Sequence, residues 1–188
     1  MPATDAKMAY AHQKLGELIV LHNALELGLS LLIASLAGFQ GNGLAVPLIN
    51  TLDFQRKCDL LRAFATLFPD QRPTLIRISK LAKDIGGKRN QAAHSMIAYG
   101  GDGPVFIPFG GARAIENKPD QPRFTVKDIR LLASKAAQLQ KLVTDLKDTF
   151  DQAHRASAVQ RAMKDPNSLA TEVARILAAH MDGGGSRG

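Results

Sequence analysis

Residues 15–36 read LGELIVLHNALELGLSLLIASL, and the way they repeat decides the class of fold. Leu15, Leu18, Ile19, His22, Leu25, Glu26, Leu29, Leu32, Ile33 and Leu36 recur at the three-and-four spacing of one helix face. Val20, Leu21, Leu27 and Leu31 add a second apolar face. A helix apolar on two sides is either central to a bundle or part of a dimer interface. The pattern predicts a helix over 4–37, broken by Gly38, Gly41 and Gly43. Glu17, His22, Asn23 and Glu26 interrupt the apolar run, which argues against a membrane span.

Further along, Pro47 starts a short helical turn. Asp53 serves as N-cap for a helix over 54–68, which Pro69 ends. A third helix begins near Pro73. Gly86-Gly87 predicts a kink or a fresh helix start leading into 88–98. Residues 99–124 are rich in glycine and proline. Within them, 105–107 and 112–115 are candidate strands of a small hairpin. Thr125 with Asp128 forms a capping signature for a long helix to about Met163. A weakly amphipathic helix over 168–181 and a disordered tail over 182–188 close the chain. The expected fold is therefore all-α: a bundle of four to five helices with a small loop or β-hairpin insert before the long fourth helix. One domain spans 1–181, with the insert at 99–124.

The net charge of +7 is unevenly spread. Residues 72–94 carry six basic side chains and one acidic, a local +5. Such a cluster either attracts a polyanion, nucleic acid above all, or is a solvated helix face. Lys80, Lys83 and Lys88 are the candidate RNA contacts. The N-terminus lacks a basic flank followed by an apolar core, so it does not read as a secretory signal. Cys58 is the only cysteine, which fits a reducing, cytoplasmic setting, and it reads as a packing residue. No phosphate-binding glycine loop, zinc-type cysteine pair or metalloprotease motif is present, so no metal or other cofactor is expected.

Arg89-Asn90-Gln91-Ala92-Ala93-His94 ends the basic segment. Arg-x4-His alone is a weak signal. Twelve arginines and five histidines in 188 residues give about 0.3 chance matches, and Arg175 with His180 is one such match. Requiring Asn directly after the Arg lowers chance to about 0.01, and only Arg89-Asn90 passes. At this motif the chain resembles the HEPN superfamily, whose mark is an Arg, usually a polar residue, and a His near the start of a late bundle helix. The long first helix with Glu26, and LDFQRKCDLLRAF with its Lys before paired leucines, extend the likeness to about residues 10–155.

The resemblance implies a metal-independent endoribonuclease acting as a homodimer in stress response, phage defence or a toxin–antitoxin pair. It equally admits a non-catalytic module that binds RNA or a partner protein. The residue types suit cleavage. A His titrating near neutrality moves the proton of the 2′-OH or of the leaving oxygen, and an Arg stabilises charge on the phosphate. Arg89, Asn90 and His94 are thus the candidate catalytic residues. His22 and Glu26 are candidate supports, with Glu26 orienting Arg89 or His94 or making a structural ion pair. A regular helix sets Arg89 about 100° from Asn90. A common aim for the three residues then needs a long reach by Arg89, a kink at Gly86-Gly87, or a second copy of the chain.

Overall fold

A computed structural model describes residues 2–39, 43–100, 103–108 and 123–164. It is mostly helical, with one small antiparallel sheet. The helices are α1 (Pro2–Leu36), α2 (Ala45–Asn50), α3 (Phe54–Phe64), α4 (Arg72–Ala93) and α5 (Val126–Lys164), and a 3-10 turn, Pro69–Gln71, leads into α4. The strands are β1 (Ser95–Gly100), β2 (Gly103–Pro108) and β3 (Phe124–Thr125). The chain divides into two compact units, Met1–Lys147 and Asp148–Gly188. In the second, the described residues continue α5 as helix to Lys164.

In the first unit, α1 buries Leu18, Leu25, Leu29, Leu32 and Ile33 against the rest of the bundle. Cys58 and Leu61 of α3, Leu75, Ile78 and Ile85 of α4, and Ile129, Ala136 and Val143 of α5 complete the core. Gly28 of α1 faces Val143 of α5, where an added Cβ would make an ordinary van der Waals contact at 3.4 Å. The second apolar face of α1 is only partly used: Val20 and Leu27 are exposed. By length and composition α1 is apolar enough to cross a membrane, and half of its most apolar window is buried inside the protein.

Both predicted caps form. Asp53 accepts a hydrogen bond from the Arg56 amide at 2.7 Å and opens α3. Asp128 accepts from the amide and hydroxyl of Thr125 at 2.8 and 2.7 Å, and Thr125 Oγ1 accepts from the Asp128 amide at 3.2 Å. This reciprocal pair holds the Asp128 carboxyl below its ordinary range.

The structure corrects three expectations. First, α3 stops at Phe64, short of 68, because Ala65 to Leu67 tighten into turns. Second, α4 is a single helix through Gly86-Gly87, with no fresh start there. Third, the helix does not reach 98. It ends at Ala93, and Ser95 onward is strand, paired with β2 in the register Ser95↔Pro108 to Gly100↔Gly103. The 105–107 segment is a strand as predicted, but its partners are β1 and β3, through Val105↔Thr125 and Phe106↔Phe124. The predicted strand at 112–115, the helix at 168–181 and the tail at 182–188 lie outside the described residues.

Gly86 explains the second correction. A Cβ there would come within 2.7 and 2.9 Å of the Phe54 ring and 3.4 Å of His22 Nε2, so the position is reserved for close helix packing. Gly87 faces open space. The two adjacent glycines should therefore respond with opposite signs. Overpacking at Gly86→Ala costs about 1–3 kcal/mol and outweighs a helix-propensity gain of up to about 1 kcal/mol. Gly87→Ala gains about 0.5–1 kcal/mol. Urea midpoints of the two variants, read with unchanged slopes, test this.

Candidate functional site

α4 carries the motif on its last turn, and its residues diverge around the helix. Arg89 points toward the interior and is half-buried, with its Nε sealed from solvent. Its Nη1 nevertheless donates to Asn90 Oδ1 at 2.9 Å, so the long side chain reaches round to its neighbour. Asn90 is exposed and lies inside α4, so it does not cap a restarted helix. Its backbone carbonyl accepts the His94 amide at 3.0 Å. His94 is the C-cap of α4, with φ −99° and ψ 27°, at the junction where helix passes into β1. Its imidazole is exposed. The single chain therefore brings Arg89 and Asn90 into direct contact, with His94 one turn further along.

Behind Arg89 lies a buried polar junction of α1, α3 and α4. His22 is 3% exposed and packs on Phe54, with ring centroids 4.4 Å apart. Glu26, one turn on, does not bond Arg89 or His94. It pairs with Lys57 at 2.8 Å, and this lysine side chain is almost fully buried. Of the two sequence alternatives for Glu26, the ion pair is what the fold contains. Lys57 was missed as a site-adjacent residue. Its place beside Cys58 and one turn before Leu61, on the inward side of α3, was the available signal.

Burial lowers the His22 pKa below its ordinary 6.5, and the nearby Arg89 charge lowers it further. Glu26 and Asn23 pull the other way, although no hydrogen bond of acceptable geometry reaches either ring nitrogen. Unfolded, the imidazole titrates near 6.5; folded, it resists the proton. Below that pH the unfolded chain takes up a proton that the fold refuses. Stability should therefore fall as pH drops below about 6.5, and level off past the folded-state value. Urea midpoints between pH 7.5 and 5 should drop more for wild type than for His22→Gln.

Two of the three lysines expected to contact RNA are held in ion pairs. Lys83 is tied to Asp59 of α3, and Lys88 to Asp84 at 2.9 Å. Lys80 is exposed, with no ion pair among the described residues. Lys88 also borders a cleft of about 280 Å³ between α4 and α5, with Arg123, Phe124, Asp128, Leu131 and Lys135. Arg123 and Lys135 were not singled out in the sequence because they lie far from the basic segment. The Cys58 thiol, pushed up to about 12 by burial, is no nucleophile near neutral pH. Among the described residues, no group of three or more His, Cys, Asp and Glu could hold a metal ion. No family model, curated protein or solved structure matches the chain.

Proposed function

We propose that the chain is a metal-independent endoribonuclease of the HEPN type, acting as a homodimer. The observation that carries the reading is the Arg89–Asn90 hydrogen bond, set one turn before an exposed His94. An arginine fork held by a carboxamide is preorganised to receive a phosphate, and an exposed imidazole beside it can move a proton. In this mechanism the 2′-oxygen bonds to the adjacent phosphorus as His94 takes its proton. The bond from phosphorus to the 5′-oxygen breaks, and that oxygen is protonated. The products are a 2′,3′-cyclic phosphate and a 5′-hydroxyl. With two subunits, one His94 can act as base and its partner as acid, while Arg89 offsets charge on the phosphate.

The test is incubation of the purified chain with mixed RNA in EDTA. Cyclic phosphate ends are expected, and intact RNA at high protein concentration would sink the enzyme reading. A non-catalytic RNA-binding module is the second reading. It is favoured by the cations around the α4–α5 cleft, which need no alignment with His94. Salt-dependent RNA binding that survives His94→Ala without cleavage in wild type would select it.

A further inference from the structure

Among the described residues, three buried side-chain polar atoms stand without a hydrogen-bond partner: both ring nitrogens of His22 and the Nε of Arg89. Buried polar groups are nearly always paired, so orphans from two neighbouring side chains call for a physical account. Their chemistry is complementary. An arginine Nε–H can only donate, whereas a neutral imidazole keeps one lone pair that can only accept. The acidic group nearest this junction, Glu26, is engaged by Lys57 of α3, so it does not serve Arg89 of α4. Gly86 keeps α4 tight against His22, and Arg89 follows three residues later on the same side of the helix.

We propose that neutral His22 is a positioning residue for Arg89. Its lone pair accepts from the Arg89 Nε–H through one bridging water, and so aims the outer edge of the guanidinium at Asn90 and a bound phosphate. The role at a phosphate rests on the ribonuclease reading; the pairing itself does not. Protonation of His22 removes the acceptor and places a second positive charge beside Arg89, with Glu26 and Lys57 already committed to each other. The guanidinium then loses its inner anchor while Asn90 still holds Nη1.

Proton–nitrogen correlation spectra of the arginine Nε–H groups in the full chain test the pairing. At pH 7.5 the Arg89 signal should exchange slowly. In His22→Phe its exchange should rise about tenfold, the equivalent of one lost hydrogen bond. In His22→Gln, whose carboxamide oxygen can accept, it should stay close to wild type. A 2′-O-methyl RNA, which lacks the attacking hydroxyl, should bind more weakly to His22→Phe but not to His22→Gln. Unchanged Arg89 exchange in a folded His22→Phe overturns the proposal. If that variant does not fold, the wild type supplies the reading: Arg89 exchange indifferent to His22 protonation also overturns it. Exchange that follows His22 while the RNA probe never binds keeps the pairing and removes the ribonuclease reading instead.

Discussion

Glu26→Ala should cost about 3–5 kcal/mol of folding stability, because it strands a charged lysine in the interior. Lys57 is 1% exposed and its ammonium meets Glu26 at 2.8 Å. Glu26 itself is partly exposed, so the penalty belongs to the lysine, which loses its counter-charge without gaining water. The pair is not thereby a net source of stability. Replacing both partners with apolar residues of similar size, as in Glu26→Leu with Lys57→Met, should be close to neutral or stabilising by about 1–4 kcal/mol. A double-mutant cycle in urea measures this. A loss below about 1 kcal/mol for Glu26→Ala would mean that Lys57 reaches water or another acceptor.

His94→Ala should lower RNA cleavage about 10²–10⁴-fold, the range for removing a general acid or base, while leaving stability within about 0.5 kcal/mol. The separation follows from the structure. The imidazole is exposed, and the hydrogen bond that His94 gives to the Asn90 carbonyl comes from its backbone, which alanine retains. Arg89→Lys should not rescue Arg89→Ala. A lysine has no planar fork to share between Asn90 and a phosphate, and no Nε–H donor along its stem. End-group analysis of cleaved RNA, with urea midpoints on the same preparations, separates lost chemistry from lost fold. Activity retained in His94→Ala would remove the imidazole from the mechanism.

The parts of the fold legible in the sequence are those set locally. Asp53 and the Thr125–Asp128 pair were readable as caps because their partners lie three residues away. The apolar faces of α1 and α5 were readable from periodicity. The double glycine misled, because the reason α4 needs Gly86 is a phenyl ring on another helix. β1 was unreadable for a similar reason. Ser95–Gly100 is strand because Gly103–Pro108 pairs with it, and cross-strand pairing overrides local preference. At the site, the motif residues could be named in advance. The direction of each could not, and neither could the ion pair to Asp59 of α3 that occupies Lys83.

The rotation of α1 about its own axis has a consequence for how the chain can drift. Leucines and isoleucines surround this helix on nearly every side, so greasiness alone scarcely distinguishes one rotational setting from another. Glu26 and His22 do distinguish them, since only one setting brings the carboxylate to Lys57 and the imidazole to Phe54. Interchanges among the leucines of α1 should therefore be absorbed by repacking. An exchange at Glu26 without a matching one at Lys57 should not. The helix has much freedom in composition and little in phase, and mutational tolerance along it should fall steeply at two polar positions in an otherwise permissive apolar run.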